Sequence, residues 1–168
     1  MILETERLLL KPARTEDAAF IFELLNSPKW KQFIGDRKVN SIDDAEEYIK
    51  NRMLPQFERL GYGNYIVIRK SDNAKVGSCG LYDREGLKGI DIGFAFLPAY
   101  ERKGYAFEAA NKILYAGKIH FGIKKLSAIT TQTNFSSQKL LEKLGFEFIK
   151  ITRIPNDEKE LMYYELLD

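Results

Sequence analysis

The sequence predicts a mixed α/β fold in which one sheet carries helices on both faces. Two observations carry that expectation. Between Gly89 and Gly117 the apolar period changes from two to helical within about ten residues. Along the chain, strand-like runs alternate with helix-like ones and finish in a hairpin, an order that suits a sheet covered by helices.

Each element has a local reason. Residues 7–11 read as a short strand closed by Pro12, and Thr15 with Glu16 and Asp17 reads as a helix start before the apolar run AAFIFELL. Asn26, Ser27 and Pro28 stop that helix. The stretch KWKQFIGDRKVN has no clear period; Trp30 and Phe33 stand out in it, either as anchors to the core or as surface for a ligand. Ser41 opens a second helix with Ala45, Tyr48, Ile49, Met53 and Phe57 inward, interrupted at Pro55. NYIVIRK and KVGSCGLYD read as paired strands turned at Ser71, Asp72 and Asn73.

The next strand alternates Ile90, Ile92, Phe94 and Phe96 with Asp91, Gly93, Ala95 and Leu97, and Pro98 ends it. Ala106, Ala110, Ile113 and Gly117 then share a helical stripe, with Glu108 and Lys112 spaced as an outward i,i+4 pair. LSAITTQT is a strand with Asn134 at its exit, the helix from Phe135 stops at Gly145, and FEFIKITRI and LMYYELL close the sheet.

Composition excludes several classes. A chain of 168 residues is one domain, residues 1–168, able to bury about 70% of its unfolded surface. No apolar run approaches a membrane span, and the opening residues lack the basic start of a secretion signal, so the expectation is a cytoplasmic protein with no membrane partner. A formal net charge of +2, from 26 basic and 24 acidic residues, gives no reason to expect nucleic acid. Cys79 is the single cysteine, which excludes an internal disulfide and a cysteine-rich metal cluster; no metal is expected. Cys79 reads as a buried thiol and His120 as a helix-end residue.

At the change of period lies ERKGYA, residues 101–106. Gly104 removes the side chain where a helix begins, and unpaired N–H groups there, beside Arg102 and Lys103, suit a phosphate; an ordinary strand-to-helix turn suits the same residues. The P-loop and dinucleotide fingerprints are missing, which argues against a nucleotide triphosphatase or a dehydrogenase.

Pro98, Gly104 and Ala106 together resemble the acyl-coenzyme A pyrophosphate loop of the GNAT superfamily of N-acetyltransferases, Gln/Arg-x-x-Gly-x-Gly/Ala. TNFSSQKLLEKLGFEFI, residues 133–149, resembles that superfamily's following block, Asn-x-x-Ser and a short helix ending Glu-Lys-x-Gly-Phe. ETERLLLKPARTEDA, residues 4–18, is similar to the RimJ/RimL-like branch, which includes the acetyltransferases of ribosomal-protein N-termini. The resemblance implies a mostly antiparallel sheet of about seven strands, splayed in the middle.

It further implies acetyl-coenzyme A as co-substrate and a primary amine as acceptor, with no metal. Arg102, Lys103, Gly104, Tyr105 and Ala106 would bind pyrophosphate, Phe96 and Leu97 the acetyl and pantetheine arm, and Asn134 and Ser137 the pantetheine end. Ser137 would contact the thiolate, and Trp30 and Phe33 would touch the acceptor. From its place on the strand leading to the site, opposite the phenylalanines, Asp91 is the choice of base, with Asp157 and Glu158 as second choices; all three also suit plain surface carboxylates. Two residues depart from the pattern. Glu101 replaces Gln or Arg and is expected to point away from phosphate, and Leu141 stands where many members place a proton-donating tyrosine.

The acceptor stays open between a protein N-terminus and a small-molecule amine such as a polyamine or antibiotic, and a coenzyme sensor without turnover is the reading from another class. An α-amine, with a pKa near 8, is easier to deprotonate than a lysine by about 3 kcal/mol. The oligomeric state is open as well, a homodimer being compatible.

Overall fold

The computed structural model describes residues 1–167. In chain order the elements are β1 (Leu3–Glu4), β2 (Leu8–Pro12), α1 (Ala18–Leu25), α2 (Ile42–Tyr48), α3 (Leu54–Leu60), β3 (Asn64–Arg69), β4 (Ala74–Tyr82), β5 (Ile90–Phe96), α4 (Tyr105–Ile119), β6 (Leu126–Thr131), α5 (Phe135–Lys143), β7 (Phe146–Thr152) and β8 (Leu161–Leu166). The strands form one eight-stranded sheet in the order β1-β2-β3-β4-β5-β6-β8-β7. The extra strand relative to the sequence reading is β1, two residues paired with Leu9 and Leu10 and too short to leave a period.

Every pairing is antiparallel except β5 with β6. That parallel contact covers only Ile90–Leu126 and Asp91–Ser127, after which the two strands part. Helices occupy both faces, as the strand and helix order predicts. On one face Ala109, Ala110, Ile113 and Ala116 of α4, with Leu141 of α5, pack over Tyr65, Cys79, Leu81, Ile92 and Ala128. On the other, α1, α2 and the turn that follows α2 bury Ile21, Leu24, Ala45 and Ile49 against Ile66, Ile68 and Leu97. Small residues let α4 approach closely, and Ile113, fully buried, contributes about 2 kcal/mol by leaving water.

Local differences have local causes. The Ser41 hydroxyl accepts the Asp44 N–H at 3.0 Å, the cap expected there. A 3₁₀ turn, Thr15–Asp17, precedes α1 and is capped one residue before Thr15, where Asp17 Oδ2 accepts the Arg14 N–H at 2.9 Å. Pro55 does not stop its helix; a π-helical turn at Ile49–Met53 lies immediately before it, widening the backbone where proline cannot donate. The unperiodic stretch around Trp30 is also a π-helical turn, Trp30–Ile34.

Candidate active site

The parting of β5 and β6 opens the sheet. Leu97 donates its N–H to the Val76 carbonyl at 3.0 Å, and the β4–β5 register then turns the N–H groups of Phe94 and Phe96 the other way, toward the opening. Of Phe96 and Leu97, therefore, Phe96 is the one whose N–H faces the gap. Its ring lies across β4 at Gly77, where an added Cβ would sit 2.5 Å from the ring and 2.6 Å from the Ala95 carbonyl oxygen. Gly77 is thus what lets β5 lie flat at this point. No period in the sequence signals it.

Past Phe96, residues 97–104 turn into α4. Arg102 has φ +61° and Gly104, the residue before the helix, φ +81°. The first backbone bond of α4 is the Glu108 N–H to the Gly104 carbonyl, so the N–H groups of Tyr105, Ala106 and Phe107 have no partner within the helix. Arg102, Lys103 and Gly104 are exposed around them, and Ala106 is half-buried.

A clamp from the start of the chain holds this turn. Arg7 donates through Nε to Glu108 at 2.7 Å and through Nη1 to the Lys103 carbonyl at 2.9 Å, and its guanidinium stacks 4.5 Å from the Tyr105 ring. The Thr5 hydroxyl and the Arg7 N–H also donate to Glu108. Burial works against the Glu108 charge, yet these donors hold its carboxyl below the ordinary value. The expected outward pair of Glu108 with Lys112 gives way to this arrangement, because Arg7 offers several donors where Lys112 offers one long arm. Beside the turn a groove of about 710 Å³ is lined by Thr5, Arg7, Gly104, Phe107, Lys112 and Lys143 among others.

On the α1–α2 side of the same opening the surface is polar and buried. Asp91, 1% exposed, is gripped by Arg84, whose Nη2 lies 3.1 Å from Oδ2. Burial raises the Asp91 pKa, and Arg84 opposes the rise. Tyr82 lies over Gly80 and Gly93 and donates to Asn64 Oδ1. The loop at residues 153–160 borders this side: Pro155 touches Gly86 beyond one end of β5, while Lys159 Nζ donates to the Gln32 carbonyl at 3.1 Å near Trp30. Asp157 is half-buried in it and accepts the Lys159 N–H; Glu158 is exposed. Trp30 and Phe33 are half-buried, and Trp30 packs on the α1–α2 core.

A sheet split between β5 and β6, with a glycine turn and a helix start at its mouth, invites comparison with known proteins. Residues 7–147 match the model of an acetyltransferase (GNAT) domain. This chain belongs to the GNAT acetyltransferase family. It is 30% identical over 157 residues to the uncharacterized N-acetyltransferase YjdG of Bacillus subtilis, covering 87% of this chain and 89% of that protein. A GNAT-family acetyltransferase of Bacillus anthracis superposes with a TM-score of 0.81 at 26% identity, covering 99% and 98% of the two chains. RimL, a ribosomal L7/L12 α-N-protein acetyltransferase solved with coenzyme A, shares the fold with a TM-score of 0.82 at 15% identity, covering 98% and 97%.

Within this acetyltransferase the two departures from the family pattern have visible surroundings. Glu101 is held by Lys29, Nζ to Oε2 at 2.6 Å, so its charge is neutralised locally. Leu141 is buried in the core beneath α5 and offers no proton. Asn134 caps α5, its Oδ1 accepting the Ser137 N–H at 3.3 Å, and the Ser137 side chain is half-buried in the first turn. Burial pushes the Cys79 thiol up to about 12, which leaves it protonated and unreactive as a nucleophile at neutral pH. His120 is exposed at the end of α4, edge-on to Tyr115.

Arg7, Lys29, Gly77 and Arg84 were not legible as site residues. Arg7 and Glu108 are 101 positions apart, and Lys29 and Glu101 72 apart, distances over which no sequence period carries information.

Proposed function

We propose that this acetyltransferase, acting as one domain over residues 1–168, moves an acetyl group from acetyl-coenzyme A to the α-amine of a peptide or protein N-terminus. The observation that carries the reading is the opening between β5 and β6, with the exposed cationic turn of Arg102 and Lys103 at its mouth and the buried polar side chains Asp91, Ser127 and Thr131 on the α1–α2 face. Two substrates can then meet through the sheet without a covalent enzyme intermediate, and the buried, protonated Cys79 agrees with that.

The residues fit the coenzyme. The N–H groups of Gly104, Tyr105 and Ala106 take the diphosphate, where the missing Cβ of Gly104 leaves the backbone accessible, and Arg102, Lys103 and Arg7 add charge. Lys29 removes the one local objection, the Glu101 carboxylate. The thioester supplies an activated acetyl carbon. Phe96, through its N–H, holds the carbonyl oxygen as it gains charge, a contribution of about 3 kcal/mol in comparable sites. Asn134 and Ser137 hold the pantetheine end, and the Ser137 hydroxyl gives the departing thiolate a hydrogen bond in place of the proton Leu141 cannot offer. Asp91 takes the amine proton through a chain of waters, because the five residue steps along β5 from it to Phe96 span about 16 Å; its raised pKa brings its basicity closer to that of an α-amine. Trp30 and Phe33 border the acceptor.

In the transfer the amine lone pair forms the C–N bond, the C–S bond breaks toward sulfur, and one proton passes from nitrogen to solvent or base. Thiol release from acetyl-coenzyme A tests this with a panel of N-terminal peptides, polyamines and aminoglycosides. Release that depends on peptide supports the reading; release only with small polycations moves the acceptor to that class. Tight coenzyme A binding with no acceptor-dependent release supports the sensor, the reading that Leu141 favours.

A further inference from the structure

We propose that Thr131 and Trp30 recognise the acceptor as a matched pair: the Thr131 hydroxyl oxygen accepts a hydrogen bond from the attacking amine, and the Trp30 indole N–H donates to the carbonyl oxygen next along the acceptor, as in a peptide N-terminus. The inference rests on the acetyl-transfer reading and deepens it by assigning the residues that select the acceptor.

Among the described residues four buried side-chain polar atoms have no hydrogen-bond partner: Trp30 Nε1, Tyr65 Oη, Ser127 Oγ and Thr131 Oγ1. Buried polar groups are nearly always partnered, so each orphan asks for a reason. Tyr65 belongs to the α4 face. The other three lie on the α1–α2 side: Ser127 and Thr131 share the face of Asp91 by the strand register, and Trp30 packs on the α1–α2 core. Ser127 sits where β5 and β6 are still paired, beside Tyr163. Thr131 is different, since it ends β6 beyond the last β5–β6 pair and therefore edges the opening itself.

The same short segment ties Thr131 and Trp30 to one wall. Leu161 pairs with Thr131, and two residues earlier Lys159 holds the carbonyl of Gln32, two residues from Trp30. Gln138 fixes the Thr131 carbonyl at 3.1 Å, so the residue that carries the hydroxyl is rigidly placed. Thr131 is 8% exposed.

Chemistry then chooses the acceptor. A neutral amine must aim its lone pair at the thioester carbon, which leaves its N–H bonds to be met by an oxygen; a threonine hydroxyl can accept. An indole N–H can only donate, so its partner has to carry an acceptor atom. A peptide N-terminus has both groups, amine and adjacent carbonyl, in one rigid unit. Beyond the attacking nitrogen, the protonated amines of a polyamine are donors alone and carry no acceptor for the indole, and on this sheet face Asp91 is paired with Arg84 and Glu165 with Lys125 and Tyr163.

The test compares Thr131→Val, Thr131→Ser and Trp30→Phe with the wild-type protein, using Ala-Ser-Phe-amide and spermidine as acceptors and coenzyme A titration as the control for the other side. Trp30→Phe should lower kcat/KM for the peptide about ten-fold, the loss of one hydrogen bond, and lower it for spermidine by a clearly smaller factor. Thr131→Val should lower it for the peptide by a similar factor and Thr131→Ser should restore it, with coenzyme A affinity unaltered throughout. Peptide turnover by Trp30→Phe and Thr131→Val at the wild-type rate overturns the proposal, as does equal loss toward both acceptors in Trp30→Phe, since only the indole contact distinguishes the peptide. Should Thr131→Val fail to fold, Trp30→Phe and Thr131→Ser still decide it. A wild-type protein that binds coenzyme A but acetylates neither probe overturns the acetyl-transfer reading and this proposal together, whereas wild-type turnover insensitive to the variants overturns this proposal alone.

Discussion

Replacing Gly104 by aspartate puts a carboxylate at the head of α4, where the proposed diphosphate would rest. The folding side of the change is small. Gly104 has φ +81°, a region that costs an ordinary residue about 1–2 kcal/mol but that aspartate tolerates better than most. The new Cβ would lie 3.2 Å from Arg7 Nη2, the tip of a side chain rather than backbone. A negative charge at a helix start returns about 0.3–1 kcal/mol. Together these leave stability within about 1 kcal/mol of wild type, or about 2–4 °C in Tm for a chain of this size.

The binding side is large. One carboxylate about 4 Å from one phosphate charge, at an effective dielectric near 20, costs about 4 kcal/mol, close to three decades in Kd. Calorimetric titration with coenzyme A, paired with a thermal melt, reads both. Gly104→Ala keeps the strain without the charge and should lose about ten-fold or less. A Gly104→Asp protein that melts normally and binds coenzyme A within about three-fold of wild type would refute the cradle.

Two further expectations follow from the charges around the site. Lys29→Ala leaves Glu101 unneutralised beside the turn, so coenzyme A should bind several-fold more weakly at low salt and recover near 1 M salt, where screening acts over about 3 Å; Lys29→Ala, Glu101→Gln should restore affinity at low salt, and an unchanged Kd in the single variant would remove Glu101 from the argument. Arg84→Met withdraws the cation that opposes the burial of Asp91, so the acid limb of kcat/KM should move to higher pH. The sign for stability is opposite to that of an ordinary paired carboxylate: with the folded pKa raised, the variant is most stable when Asp91 is protonated in both states and loses stability as pH rises from the ordinary carboxylate value up to the raised one. A pH–rate profile and melts from about pH 4 upward would show both, and an unmoved acid limb would discharge Asp91 as the base.

The strands from Asn64 to Phe96, helix α4 and the closing hairpin were legible because each carries its own period. The 101–106 turn was legible because Gly104 interrupts two periods at once. Less was visible where structure depends on partners. The π-helical turns at Trp30–Ile34 and Ile49–Met53 answer to packing and to Pro55, and β1 is defined only by its neighbour β2.

Taken alone, the sequence determined the mixed α/β class, the strand-to-helix change at Gly104 and the family pattern, because periodicity and backbone freedom are properties of neighbouring residues. The expected splay was placed only by tertiary structure, which parts β5 and β6 after Asp91; it alone decided that Arg7 clamps Glu108, that Lys29 quiets Glu101, and that Arg84 holds the Asp91 carboxylate. These are charges and strands brought together from distant positions, and their energies depend on separation in space, which a linear chain does not record until it has folded.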